Sequence, residues 1–512
     1  MPDTLSRGAA CAVLAQRFAD RVAVADRDGA ITYAALFRKA AWLAHELIVA
    51  GVRPGDPVAS FVRNGIPAVW VSYGIALSGA AELSMNAGLS ETDLRHCLGL
   101  AEARHLVAAG TDAGFFEALG LIVHVVDAAE ERTLAPAELP EVALDAWARI
   151  GFTSGTTGLP KGIVTSQWGR WIGNLLQCAH MPHKPGPSSR LLLMTPFSHG
   201  ASLLTYAYLD AGGSVMLLDG VDPPFVIGLI GRGEVDEMFA PPTVLAKIVA
   251  AADGMALPGL KTIYCGTAVL SPRLYARARA IFGPVIRVTY GKTEVVNPIT
   301  VLEPPETDAW YAEAGPHADA CVGWPASGVE LVVAAGPGEV GEVAIRAHQM
   351  MAGTIREGGY EPLAPGGFHE SGDLGYLDPR GRLHLVGRAA DMIKTGGYKV
   401  APEEVERVLS AALGQGEVAA FGVASEYWGE VIVAVAENPR SGWEDVLRQA
   451  AGGMTAYKRP RALLAMDEFP RNAMLKVSRK AVRERVLATH RLVDGPRPVL
   501  EKAWPEQAQP GP

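Results

Sequence analysis

The sequence predicts an α/β protein: a large N-terminal domain of layered sheets and helices, with a smaller, mobile α+β C-terminal domain acting as a lid. Three observations carry this expectation. Over most of the chain, apolar runs of strand length alternate with amphipathic segments of helix length, the pattern that parallel sheets covered by helices require. After Gly387 the texture changes to turn residues followed by a short helix and a strand. The 512 residues, 49% of them hydrophobic and 20% charged, suffice for more than one core and have the balance of a globular chain.

In chain order, the long uncharged stretch 64–81 contains Pro67, Ser72, Gly74, Ser78 and Gly79, so it reads as a buried helix rather than a membrane span. Strands are expected at 191–194, 214–218, 262–264 and 285–289, with a helix over 271–281. A boundary after residue 387 divides the chain into 1–387 and 388–490. The lid's helix opens near Pro402, whose missing N–H costs least in a first turn, and Val405, Val408, Leu409, Ala412 and Leu413 fall on one face. Segment 430–437 reads as a strand, and 491–512, rich in proline, as an irregular tail.

Charge and cysteine usage exclude several classes. With 46 basic against 55 acidic residues the net charge is −9, which opposes binding to a phosphate backbone, so no nucleic-acid partner is expected. Cys11, Cys97, Cys178, Cys265 and Cys321 are dispersed, without a CxxC pair, which fits a reducing cytoplasm. The short Ala-rich start makes a poor secretory signal, so a cytoplasmic location is expected. His180 and His183 are spaced as HxxH, but Pro182 between them argues against a shared helical ligand face, and no metal is assigned there.

Chemistry concentrates in Thr153-Ser154-Gly155-Thr156-Thr157-Gly158-Leu159-Pro160-Lys161-Gly162. Its glycines permit close backbone approach, its hydroxyls and amides donate hydrogen bonds, and Lys161 adds a cation, so the segment forms an anion cradle suited to phosphate. It is not a Walker A loop, because no Gly-Lys-Ser/Thr closes it.

This decapeptide resembles the phosphate loop of the adenylate-forming superfamily, which holds acyl-CoA synthetases, luciferases and peptide-synthetase adenylation domains. Further resemblances follow in the same order. Pro196-Phe197-Ser198-His199-Gly200 is similar to the family's histidine-containing strand end, and Tyr264-Cys265-Gly266-Thr267-Ala268 to its adenine-side segment. Tyr290-Gly291-Lys292-Thr293-Glu294 resembles the tyrosine–threonine–glutamate motif, and Ser371-Gly372-Asp373 the ribose-binding aspartate. Gly387-Arg388, Asp391-Met392-Ile393-Lys394, Gly396-Gly397-Tyr398-Lys399-Val400 and Pro470-Arg471-Asn472 leading to Lys476 complete the set. The pattern is nearest to fatty- and aryl-acid–CoA ligases.

The resemblance implies ATP and Mg²⁺ as cofactors and CoA as co-substrate. A carboxylate is a poor electrophile because its leaving group would be oxide; attack on the α-phosphate of ATP turns it into a mixed anhydride with AMP as leaving group. Negative charge gathers on phosphate oxygens, where preorganised donors and cations act. By resemblance Lys476 bridges substrate carboxylate and α-phosphate, Thr293 bonds that phosphate, and Glu294 with Thr153 holds Mg²⁺. Lys161 with Ser154, Gly155, Thr156 and Thr157 cradles the phosphates. Gly266, Thr267, Ala268, Tyr290 and Gly291 enclose adenine, Asp373 accepts the ribose hydroxyls, and Arg388 lies near ribose and phosphates. Gly396, Gly397, Lys394 and Lys399 belong to the turn expected to line the pantetheine path, and His199, Lys292 and Gly266 to the acid pocket.

Three positions depart from the family pattern. Ala390 replaces the usual Asp or Lys at the hinge, Leu475 stands where Gly usually precedes the catalytic lysine, and Lys292 replaces an uncharged residue. A buried Lys292 facing the acid would call for a second negative group on the substrate or a compact oxyanion, and its replacement would then raise the acid's KM. The alternative places its flexible stem toward solvent or Glu294. No acidic residue in 197–202 is available to hold an α-ammonium, which disfavours amino acids as substrates.

The expected function is thus ATP- and Mg²⁺-dependent activation of a carboxylic acid with pyrophosphate release, followed by thioester formation with CoA. The alternative passes the activated acid, or an oxyanion such as nitrite, to an amine or a carrier protein; with nitrite and an amine the enzyme would be a diazotase. A non-catalytic nucleotide sensor is a third class, separated from both by pyrophosphate release.

Overall fold

In the computed structural model, residues 4–85, 89–126, 138–154, 160–315, 318–414, 416–471 and 476–502 are described, Ser154 and His199 by their backbone alone. The strands expected in the N-terminal region align in one 13-stranded sheet. Its parallel half runs in the order Val22–Ala25, Ser214–Leu217, Arg190–Leu193, Glu237–Phe239, Thr262–Cys265, Ile286–Lys292. The helix Pro272–Phe282 makes one of the crossovers that parallel neighbours require, started by Ser271 accepting from the Leu274 amide. From Ile286–Lys292 onward the pairing is antiparallel, beginning with Val295–Leu302. The carboxyl ends of the parallel strands therefore open on one edge, where segments 195–199, 266–268 and 290–294 converge, the place where open α/β sheets bind ligands.

A second sheet of eight strands contains Pro57–Phe61, Ala81–Ser84, His105–Ala108 and Ile122–Val125 in parallel. It also carries Trp147–Ser154, which turns back antiparallel into Pro160–Ser166, so Thr153 lies opposite Lys161. Between the two sheets run the helices Tyr33–Val49 and Ile66–Leu77. Their side chains share one core with Val58 and Val107 of the smaller sheet and Leu191, Leu193, Val215 and Leu217 of the larger. Packing is close: a Cβ added to Gly74 would sit 2.8 Å from that of Leu43. This burial on all sides explains why 64–81 carries no charge. No helix among the described residues is long and apolar enough to cross a membrane.

The C-terminal sheet has five strands, Tyr398–Val400, Ile393–Thr395, Gly429–Glu437, Val418–Ser425 and Ala462–Met466. Helix Pro402–Leu413 buries Val405 and Leu409 against it, as its apolar spacing requires, with Val408 and Leu413 half-buried beside them. Arg479 ties helix Arg479–Leu487 to that helix through Glu403 and Glu406, and to the turn Ala389–Asp391 through Asp391, all at 2.7–2.9 Å. Arg407 bonds Asp319 at 2.7 Å and so joins this unit to the large sheet. The segment expected to be an irregular tail is partly ordered: His490–Val493 and Val499–Lys502 pair as a hairpin. Leu492 and Leu500 pack beside Phe469 and Val482 on the second face of the lid sheet, an apolar cover that proline content does not foretell. Residues 503–512 lie outside the described residues.

Candidate active site

Three elements of the large sheet build the cleft from below. Strand Ile286–Lys292 ends at a register shift between Tyr290 and Lys292, so these side chains, two residues apart, emerge on one face. Gly291 fits there because an added Cβ would overlap the Asn297 side chain. Strand His369–Leu377 turns His369, Ser371 and Asp373 toward the same side by its period of two. Thr267, just beyond strand Thr262–Cys265, has φ +70°, a left-handed conformation that a non-glycine residue adopts only when its surroundings enforce it.

Asp373, 6% exposed, is the hub. The Tyr290 hydroxyl donates to its Oδ2, Lys292 Nζ reaches the same oxygen at 3.1 Å, and Arg388 Nε stands 3.3 Å from Oδ1. Lys292 also donates to the Ser371 carbonyl at 2.7 Å. The expectation that Lys292 faces the acid, or reaches solvent or Glu294, gives way to this pairing. Because it shares a strand face with Tyr290, its ammonium is delivered to the carboxylate that Tyr290 already meets. Burial and the neighbouring Asp373 charge push the Tyr290 phenol far above its ordinary range, so it remains a donor.

Lys161 stands 3.6 Å from Glu294 Oε1 and opposite Thr153, whose buried Oγ1 has no partner. A Cβ on Gly151 would lie 2.9 Å from Thr293 Cγ2, which sets Thr293 against the same strand. Thr153, Lys161, Thr293 and Glu294 are therefore adjacent. Gly155, Thr156 and Thr157 lie outside the described residues, as do the side chains of Ser154 and His199. Around the cleft, buried Thr195 Oγ1, Ser198 Oγ and Asn297 Oδ1 also lack partners, which fits a polar guest such as a nucleotide. Glu294 and Thr153 supply oxygen donors of the kind Mg²⁺ takes alongside phosphate and water.

Lys476 completes the cleft from the C-terminal side. Burial, then repulsion from Arg388 and Lys292 against attraction to Asp373, lowers its ammonium from the usual 10.5 to about 8. Its electrostatic neighbours are thus the side chains around Asp373. Lys394, Gly396, Gly397 and Lys399 are not brought to this cleft. They form an exposed hairpin in which Gly396 and Gly397 take φ of +57° and +84°, and Tyr398 stacks on Tyr457 at 4.1 Å.

His369 was not singled out from sequence, yet its Nε2 is buried without a partner. Burial lowers its pKa, and Glu294, Lys292, Lys161 and Asp373 are the charges it feels. The signal that could have found it is its place on the strand, in phase with Ser371 and Asp373.

A nucleotide cleft at the carboxyl edge of a parallel sheet, closed by a lysine from a smaller α+β unit, defines an adenylate-forming architecture. Comparison agrees. The AMP-binding enzyme family matches residues 11–354, and the AMP-binding enzyme C-terminal domain matches 404–476. A feruloyl-CoA synthase from an Amycolatopsis species is 32% identical over 90% of this chain and 96% of its own. A 2-succinylbenzoate–CoA ligase from Geobacillus kaustophilus is 29% identical over 92% of this chain and 96% of its own. The solved o-succinylbenzoate CoA synthetase from Bacillus subtilis, in complex with its acyl-adenylate intermediate, superposes with a TM-score of 0.80 at 26% identity, covering 93% and 97% of the two chains. The chain belongs to the AMP-binding enzyme family of the adenylate-forming superfamily.

Proposed function

We propose that the protein is an ATP- and Mg²⁺-dependent acid–CoA ligase: acid and ATP give acyl-AMP and pyrophosphate, and CoA then gives the thioester and AMP. The observation that carries this reading is Lys476, partly buried and electrostatically coupled to Asp373, Arg388 and Lys292. A lysine there supplies positive charge where a carboxylate meets the α-phosphate. Relatives named as CoA ligases over nearly the whole chain support CoA as acceptor.

Each residue has a task in the proposal. Asp373, oriented by Tyr290, Lys292 and Arg388, accepts from the ribose hydroxyls. Thr293 and Lys161 hold phosphate oxygens, and Glu294 with Thr153 would hold Mg²⁺, which would supply positive charge beside the phosphates. After adenylation the hairpin with Lys394, Gly396, Gly397 and Lys399 turns toward the cleft to admit the pantetheine arm, about the turn at Ala389–Asp391. Pyrophosphate release over aliphatic, aromatic and dicarboxylic acids and nitrite, each with and without CoA or an arylamine, tests the reading. Release accompanied by CoA consumption is expected. Turnover that needs an amine and leaves CoA untouched, or products ADP and orthophosphate, would overturn it.

A further inference from the structure

Beside the nucleotide cleft lies a cluster in which one buried and two half-buried arginines outnumber the carboxylates beside them. Arg149, 8% exposed, pairs with Glu82 at 2.8 Å and donates to the Ser198 carbonyl at 2.7 Å. Arg170, near the start of helix Gln167–Ala179, holds its guanidinium 5.4 Å from the centre of the Tyr206 ring, and Arg7 reaches that ring at 5.8 Å. Among the described residues no carboxylate lies within ion-pair distance of Arg170 or Arg7, and Arg7 Nε is buried without a partner. Glu82 already serves Arg149 and the Ser72 hydroxyl, while Asp210, bound by Asn174, acts electrostatically on Arg7 and is not among the main charges felt by Arg170. Tyr206 cannot act as counter-ion, since burial raises its phenol. Burial and the nearby Arg149 hold Arg170 down to about 10, which leaves it charged at neutral pH. A half-buried guanidinium that shares Glu82 with Arg149 and has no carboxylate of its own at ion-pair distance is stabilised when an anion completes the site.

The position of Arg170 says where that anion comes from. Helix Gln167–Ala179 packs on strand Val295–Leu302, so closely that a Cβ on Gly173 would overlap Val296, two residues past Glu294. Arg170 is one turn before Gly173 and therefore on the same face. On its other side, helix Ser202–Asp210, which carries Tyr206, continues directly from the turn Phe197–Ala201 that contains His199 and is anchored by Arg149. Arg170 thus stands between the two elements that flank the acid pocket expected at His199.

We propose that Arg170 is a specificity-determining residue that receives a second oxyanion at the far end of the acid, so that the substrate is a carboxylic acid with a distal carboxylate or sulfonate. Arg149, fixed by Glu82, is a positioning residue for the pocket wall. The proposal rests on the acid-activating reading above, and it moves the second negative charge from Lys292, which is committed to Asp373, to Arg170.

Pyrophosphate release tests it with acids matched in length and different only at the far end: butyrate against succinate and 3-sulfopropionate, hexanoate against adipate, cinnamate against 4-carboxycinnamate. The natural enzyme should prefer the member with the distal oxyanion by about 10- to 100-fold in kcat/KM, through KM, as one charge-assisted hydrogen-bonded contact supplies. Succinate against 3-sulfopropionate distinguishes the two oxyanions. Arg170→Leu should abolish the preference with the KM for ATP unchanged, and Arg170→Lys should keep part of it. Isothermal titration of the same acids in the presence of AMP reads the preference without turnover, and thermal melting shows that each variant folds. Equal affinity of matched acids for the natural enzyme, binding of none of them, or an undiminished preference in Arg170→Leu overturns the assignment. If Arg170→Leu does not fold, the natural enzyme and Arg170→Lys still decide it. The CoA-ligase reading fails separately, by pyrophosphate release without CoA consumption.

Discussion

Replacing Lys476 by Met removes the ammonium but keeps most of the stem, and the structure expects two opposite effects. The fall from 10.5 to about 8 disfavours the charged form by roughly 3 kcal/mol at ~1.36 kcal/mol per pH unit, an upper bound for a group in partial contact with water. The folded-state value lies below the unfolded one, so the folded chain holds this proton less firmly. The cost is therefore present in full below pH 8 and fades as pH rises toward 10.5. At pH 7 Lys476→Met should melt higher than the natural enzyme, and the gain should vanish at alkaline pH. Catalysis should move the other way: pyrophosphate release should drop by about 10²- to 10⁴-fold, because charge developing on the α-phosphate loses its cation. The KM for ATP should stay within a few-fold, since Asp373 and its donors remain. In the natural enzyme kcat/KM should fall as pH passes about 8, by roughly tenfold at pH 9. Calorimetry and a coupled pyrophosphate assay measure both arms. A variant with near-natural turnover, or one that loses activity only because it melts lower, would refute the reasoning.

Three further outcomes follow from particular contacts. Lys292→Met should raise the KM for ATP rather than that for the acid, because Lys292 pairs with Asp373; steady-state kinetics with each substrate varied decides, and a change confined to the acid would contradict the geometry. His369→Phe should weaken inhibition by pyrophosphate about tenfold and spare inhibition by AMP, since His369 feels Glu294 and Lys161; equal loss for both ligands would place it elsewhere. Arg149→Met should destabilise the fold by about 3–5 kcal/mol in urea titration, because it strands Glu82 in the interior, and a loss below about 1 kcal/mol would show that Glu82 finds water.

Much of the site was legible because its chemistry is local. Thr153 through Gly162 is dense in hydroxyls, glycines and a lysine, and the hairpin that carries it puts Thr153 opposite Lys161 without help from distant residues. Asp373 and Tyr290 were readable from their short motifs, but their strands stand four places apart in the sheet, and their meeting across 83 residues is a product of the tertiary fold. Lys292 was misplaced for a simple reason. A long side chain's destination depends on which anion stands within reach, and Asp373 lies on a strand four positions away in the sheet order and far along the chain. His369 and Arg170 were invisible, because a lone histidine or arginine acquires meaning only from the partners it lacks in the fold.

The sequence alone determined the layered α/β class, the apolar helix 64–81 and the ordered series of nucleotide motifs, since each depends on neighbours along the chain. Only the tertiary structure decided that Lys292 pairs with Asp373, that the segment after 489 closes on the lid as a hairpin, and that Arg170 lies over the Tyr206 ring. The physical reason is range: periodicity and turn chemistry act over a few residues, whereas charge pairing and burial are settled between segments that fold brings within ångströms of each other.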